Sequence, residues 1–340
     1  MKHSLIPRSL LVLLCLAAVS CKGREAYLSP PAGSYSNVVL VTETGTIEGP
    51  SETMVRTLQH EIDFYTRTEN QFNVKIVPAS RLEAELPAKN MVLFGLVNQG
   101  RIGSYIQRFI GDEAVRSVLA GRASVFKKMD YPVTGQLTLI VTAASADDLE
   151  RAAVSEGELI RGIIEEENRE RLRDFLLRTE NVDLGKLLRA KYGFTLRVPM
   201  DYTLNQERPD VPGVELINPT PNRMLGVSWR AFDRDEATLA DSTALYRVRE
   251  DYAFRMYDKD VMRRDLAKFR ATKLGPYPAV RMDGYWENSV GDYGGAFVTF
   301  FIVDRVKSRL WLVDCVVFAP GADKNEPLRE LYAIAETFRL

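Results

Sequence analysis

Met91-Val92-Leu93-Phe94-Gly95-Leu96 is a continuous apolar run with no polar residue in it. A strand with one solvated face would alternate. This run therefore predicts a strand buried on both sides, as in a parallel sheet covered by helices. Working outward, Asn37-Val38-Val39-Leu40-Val41 and Leu137-Thr138-Leu139-Ile140-Val141-Thr142 also read as strands, with a further strand at 72–77 and a short one at Ser124-Val125-Phe126. Between them the spacing predicts a helix over 51–66, where Met54, Leu58, Ile62 and Tyr65 recur at helical intervals, a short helix at 80–85 and another over 102–119. The expectation for the first half is a mainly parallel α/β layer. It is closed by one long helix over 145–178, with Ser145 as cap and Asp147 and Asp148 at its positive end. Within that helix Glu165 with Arg169 and Glu167 with Arg171 are spaced for i,i+4 pairing, which predicts a solvated face.

The rhythm changes after Asn181. A short helix over 182–191 stops at Gly193, and strand-like segments follow at 194–199, 202–204 and 224–232, joined by Pro, Asn and Gly turns. A helix over 238–256, strands at 267–274, 279–287, 296–304 and 309–318, and a closing helix over 327–338 complete an antiparallel α+β half. Its opening Val198-Pro199, the Asp201-Tyr202 step, the sheet and the terminal Thr337-Phe338 are similar to the Mog1/PsbP-like fold, an analogy of fold alone.

The N-terminus carries an address. A basic start with Lys2 and Arg8, an apolar run of about ten residues, far short of the roughly 20 needed to span a bilayer, and Ala18-Val19-Ser20-Cys21 read as a lipoprotein signal peptide over 1–20. The sequence resembles a bacterial lipobox, which implies acylation of Cys21 and a membrane anchor. Lys22 in place of an aspartate leans toward the outer membrane, and 21–36, with Pro30, Pro31 and Gly33, reads as a tether. Domains are thus expected at 37–180 and 181–340.

Composition narrows the chemistry. The 340 residues are 46% hydrophobic and 27% charged, an ordinary globular balance, and a net charge of −1 offers no basic field for nucleic acid. Loss of the leader removes Lys2 and Arg8 and no acid, which takes the charge to −3. His60 is then the single histidine, expected on an exposed helix face, and Cys315, in an apolar strand, is expected to be a buried, inert thiol. No phosphate loop, Gly-x-Ser-x-Gly elbow or His-Glu-x-x-His is present, and no cofactor or metal is implied. Gly291-Asp292-Tyr293-Gly294-Gly295 precedes a strand and reads as a turn.

One strand offers a polar face. Arg281, Asp283, Tyr285 and Glu287 alternate, opposite Val280, Met282 and Trp286. With Arg264, Asp265 and Asp292 they form the candidate ligand or partner surface, with Tyr285 or Trp286 as a stacking platform. A ladder of cross-strand ion pairs is the simpler alternative. Asp283 and Glu287 are about 13 Å apart along a strand, too far for a glycosidase pair by themselves.

Arg264-Asp265, Gly284-Tyr285-Trp286-Glu287, Gly291-Asp292-Tyr293-Gly294-Gly295-Ala296-Phe297-Val298-Thr299-Phe300, Asp304 and Val317-Phe318-Ala319-Pro320 with Lys324 resemble the bacterial lipoprotein family called domain of unknown function 4837. The family pattern implies Arg-Gly-x-Trp-Glu where this chain has Asp283 before Gly284, and Met-Gly-Gly-Pro-Phe where it has Tyr293 and Ala296. The resemblance implies no reaction. The expectation is a non-enzymatic, lipid-anchored binding or assembly component whose partner is an envelope protein or saccharide. The rival is a hydrolase or lyase of envelope polysaccharide using Asp265, Asp283, Glu287 and Asp292 with Arg264 or Arg281, which requires two of these carboxyls to converge in a pocket.

Overall fold

The computed structural model describes residues 31–43, 45, 47–65, 67–131, 133–232, 241–257 and 259–340. The leader, Cys21 and the tether as far as residue 30 lie outside the described residues. Strands β1 (Asn37–Thr42), β4 (Asn73–Pro78), β5 (Asn90–Leu96) and β7 (Leu137–Ala143) are parallel, and β6 (Val125–Met129) pairs antiparallel with β7, in the order β4-β1-β5-β7-β6. Every residue of β5 and β7 is buried, as the unbroken apolar runs require. On one face Val38, Leu40 and Phe94 meet Met54 of α1 (Glu48–Gln59), Leu149 of α3 (Ala146–Ser155) and Ile160 of α4 (Gly157–Leu176). On the other, Val39, Val41 and Leu93 meet Ile102 and Ile106 of α2 (Gly100–Leu119).

The second sheet has eight antiparallel strands from the C-terminal half. They are β8 (Thr203–Arg208), β9 (Val211–Pro219), β10 (Asn222–Ala231), β11 (Asp260–Met262), β12 (Lys268–Leu274), β13 (Tyr277–Asn288), β14 (Gly294–Asp304) and β15 (Arg309–Phe318). Their order is β11-β13-β14-β15-β10-β9-β8, with β12 also on β13. One face packs Leu225, Phe300, Trp311 and Cys315 against Leu188 of α5 (Val182–Tyr192), Leu331 of α7 (Asn325–Ala335) and Phe338. The other packs Met282, Trp286, Phe297 and Leu312 against Leu245, Ala253 and Met256 of α6 (Ser242–Met256). The molecule is therefore mixed, a mainly parallel α/β layer plus an antiparallel α+β layer. Cys315 is buried, and burial pushes its thiol well above the usual range.

Five sequence expectations are corrected. The first helix ends at Gln59, not 66, and residues 61–70 turn back as a hairpin of β2 (Glu61–Asp63) and β3 (Thr68–Asn70). Ile62 and Tyr65 kept helical spacing, but Tyr65 lies at φ 65° with its N–H donating to Asp63 Oδ1. The hairpin is held by long-range contacts instead, since Glu69 accepts the N–H groups of Lys324 and Asn325 at 2.9–3.0 Å and so caps α7. The helix expected over 145–178 is two helices broken at Glu156. Gly157 passes so close to α1 that a Cβ there would meet Thr57 Cγ2 at 2.6 Å. Residues 194–199 form only isolated bridges, Thr195 to Arg339 and Pro199 to Glu180, in place of a strand. Residues 31–36 are not free tether. Ala32 bridges Ala88, and the Tyr35 carbonyl accepts from Asn90 and Asn168.

The face of α4 expected in solvent is the fifth correction, because that helix joins the two layers. Glu165 binds Arg329 of α7 at 2.7 Å in place of Arg169, and Arg329 also donates to Ser36 Oγ. Arg169 and Arg173 both meet Glu336, at 3.1 and 3.4 Å. Arg171 donates to the Lys89 and Gly135 carbonyls, and Glu167 pairs with Lys127. Arg329→Met should cost about 2 kcal/mol, because the Glu165 carboxylate is left without its main charge-assisted donors. Differential scanning calorimetry should show the loss as a lower or split transition, and an unchanged profile would deny α4 its joining role.

Candidate functional site

Strand geometry does place Arg281, Asp283, Tyr285 and Glu287 on one face of β13, opposite Phe300, Val298, Ala296 and Gly294 of β14. With Arg264, Asp265 and Asp292 included, the candidate residues fall into three separate clusters, and Asp292 stands apart from them. Arg281 Nε donates to both oxygens of Asp283 at 2.9 and 3.0 Å, Arg270 approaches the same carboxylate at 3.6 Å, and the Arg281 guanidinium lies over Phe300 and Tyr332. Arg263 joins Glu287, Asp265 and the Tyr65 hydroxyl, and its hydrogen bonds hold the Asp265 carboxyl below the usual range. Arg264 points elsewhere, over Tyr246 and onto Thr243 of α6. Asp292 stands exposed in the turn between β13 and β14.

Neither aromatic is an open platform. Tyr285 is 7% exposed, its ring 5.2 Å from Tyr65, and Trp286 is 3% exposed on the opposite face among Phe318 and Tyr293. Period-two alternation puts polar side chains on a common face, but it is silent on what covers that face. Here the hairpin and α7 do.

The most unusual polar grouping lies across the other face of the sheet. Register aligns Glu215 of β9, Gly226 of β10, Asp314 of β15 and Thr299 of β14 in one row. Above it, α6 lowers Arg249, fully buried, onto Asp314 at 3.0 Å, with its guanidinium 3.8 Å over the Phe297 ring. Thr299 donates to the other Asp314 oxygen. Gly226 is needed here, because a Cβ would collide with the hydroxyls of Tyr252 and Tyr257, which sit over it 3.4 Å apart. Asn205 donates to Glu215 Oε1 at 2.6 Å, whereas Glu215 Oε2 and Arg249 Nη1 are buried and have no hydrogen-bond partner among the described residues. Burial pushes the Glu215 carboxyl up to about 7, with Asp314 adding and Asn205 opposing. Burial also raises both tyrosine hydroxyls.

Sequence reasoning missed this row because register alone brings residues 215 through 314 together. The available signal was an acid inside an apolar run, Val214-Glu215-Leu216 and Val313-Asp314-Cys315. Roofed by α6, the row orients that helix on the sheet and is buried, with Glu215 1% and Arg249 and Asp314 0% exposed. A polar cleft of about 250 Å³ does open at the junction of the layers, lined by Ser34, Arg67, Glu69, Asp323 and Glu326. Its charges are engaged, with Arg67 on Asp323 at 2.9 Å and Glu69 on the α7 N-terminus. Among the described residues no group of three or more His, Cys, Asp or Glu side chains could hold a metal ion.

Residues 232–337 match the family model described as "Domain of unknown function (DUF4837)". That segment holds Arg249, Tyr252, Tyr257, Thr299 and Asp314, while Glu215 and Gly226 precede it. No curated protein matches the sequence. Similar solved structures include one from Bacteroides thetaiotaomicron at 10% identity (43% of this chain, 44% of that one, TM-score 0.27). LpqN of Mycobacterium tuberculosis, described as involved in cell envelope biogenesis, matches at 17% identity (43% and 81%, TM-score 0.28). The Saccharomyces cerevisiae Ran-binding protein Mog1p matches at 12% identity (43% and 90%, TM-score 0.29). The chain thus spans less than half of the first of these structures.

Proposed function

We propose, on the premise that residues 232–337 belong to the DUF4837 family of unknown function, that this chain is a lipid-anchored cell-envelope protein acting as a non-enzymatic binding or assembly component. The observation that carries this reading is the pairing of three of the four candidate acids. Asp283 is gripped by Arg281, and Asp265 and Glu287 share Arg263. A general acid needs a carboxyl held protonated near neutral pH, and Arg263 lowers that of Asp265. Such arginine-paired faces suit recognition better than proton transfer. The address supports the envelope placement: Ala18-Val19-Ser20-Cys21 follows a short apolar run, and Lys22 favours the outer membrane. Among the described residues no helix is long and apolar enough to cross a membrane.

Crosslinking in native membranes with a C-terminally tagged chain, beside Cys21→Ala, tests the reading. Wild type should incorporate labelled palmitate, sediment with membranes and crosslink to a defined envelope component. The variant should lose all three. A wild-type chain without palmitate would end the anchor reading. Cleavage of envelope polysaccharide by the purified protein, abolished by Asp283→Asn, would replace binding with catalysis.

A further inference from the structure

Three apolar side chains stand in solvent where α4 ends. Phe175 is 55% exposed, Val182 53% and Met200 59%. The backbone brings their segments together, since the Met200 N–H donates to the Thr179 carbonyl at 2.9 Å and the Asn181 N–H to the Val198 carbonyl at 2.8 Å. On α5 the buried Leu184 and Leu188 face the core, which turns Val182, Lys186 and Arg189 outward. The Arg178 guanidinium lies 5.6 Å over the Phe175 ring. Of the six bases between residues 173 and 197, Arg173, Lys186, Lys191 and Arg197 pair with Glu336, Asp183, Glu207 and Glu180, which leaves Arg178 and Arg189 outside the ion pairs found among the described residues.

We propose that this corner is a membrane-contact face, seated on an anionic bilayer surface. Phe175, Val182 and Met200 enter the boundary between headgroups and acyl chains, and Arg178 and Arg189 meet lipid phosphates. Long basic side chains around exposed apolar ones suit a lipid surface, where their alkyl stems lie along the apolar boundary while the charges reach the phosphates. The position in the fold agrees. The Tyr35 carbonyl accepts from Asn168 of α4 and the Arg171 guanidinium lies 5.9 Å over the Tyr35 ring, so the described chain begins near the part of α4 that leads to Phe175. Cys21 precedes Pro31 by ten residues, a reach of at most about 35 Å. The reach rests on the anchor proposed above, while the chemistry of the corner does not.

The test uses the chain from residue 21 to 340, without the leader and its Cys15, carrying Cys21→Ser, which cannot be lipidated, with Met200→Cys labelled by an environment-sensitive dye. Cys315 is buried and stays unlabelled. Vesicles containing phosphatidylglycerol should shift the dye emission to the blue, and the lipid concentration for half-maximal shift should rise about tenfold with Phe175→Glu plus Val182→Glu. Phosphatidylcholine vesicles or high salt should weaken the shift. All three positions are exposed, so thermal melting should be unchanged, and far-ultraviolet circular dichroism checks this. An absent shift, one unaffected by the double substitution, or one produced only by soluble envelope extract without vesicles would overturn the proposal. Because lipidation is removed throughout, these outcomes are independent of whether wild-type Cys21 is acylated.

Discussion

Asp314→Ala should destabilise the chain by about 3–5 kcal/mol, the range expected when one partner of a buried ion pair is removed. Arg249 and Asp314 are both fully buried, and the guanidinium rests on Phe297, so the Ala variant leaves a buried charge without its carboxylate. Thr299 loses its acceptor as well. A well-packed apolar pair asks for no such compensation. Arg249→Met with Asp314→Leu should therefore recover most of the loss, although each change alone is damaging. Urea unfolding followed by circular dichroism measures both. A single variant within about 1 kcal/mol of wild type would mean that the pair contributes little to the seating of α6.

Glu215→Gln should have the opposite sign, and only at neutral to alkaline pH. Burial raises the folded-state carboxyl from its ordinary 4.5 up to about 7, so the native chain holds this proton more tightly than the unfolded chain. The stability that the residue contributes is complete below pH 4.5, declines as pH rises and is lost through pH 7. The shift corresponds to about 3 kcal/mol of cost to the ionised form above neutrality. Gln keeps the volume and can still accept from Asn205, but it cannot ionise beside Asp314. The variant should thus match wild type at pH 4.5 and exceed it by about 3 kcal/mol at pH 8. Equal stabilities at both pH values would show that Glu215 stays relaxed when charged.

Local signals read true where they act over a few residues. Ser145 accepts the Asp148 N–H as an N-cap should, and Gly193 ends α5 at φ 77°, a conformation that side chains with a Cβ resist. The apolar runs at 91–96 and 137–142 lie in strands buried on both faces. Where a distant segment competes, the local pattern fails. Ile62 and Tyr65 have helical spacing, yet Glu69 finds the α7 N-terminus more than 250 residues away and the segment folds as a hairpin. Glu165 and Arg169 have the spacing of an exposed pair, yet Arg329 and Glu336 claim them from across the layer boundary.

The candidate face divides in the same way. That Arg281, Asp283, Tyr285 and Glu287 share a side of β13 follows from the two-residue period of any strand. That Tyr285 is covered, that Arg263 gathers Asp265 with Glu287, and that Trp286 is inside depends on which elements lie above each face. By itself the sequence determined the buried character of the central strands, the helix signals at Ser145 and Gly193 and a lipobox-like address, because each is written in contiguous residues. Only tertiary structure decided that Glu215, Gly226, Asp314 and Thr299 form one row beneath Arg249. Strand register, set by packing over the whole sheet, has no counterpart in any local stretch of the chain.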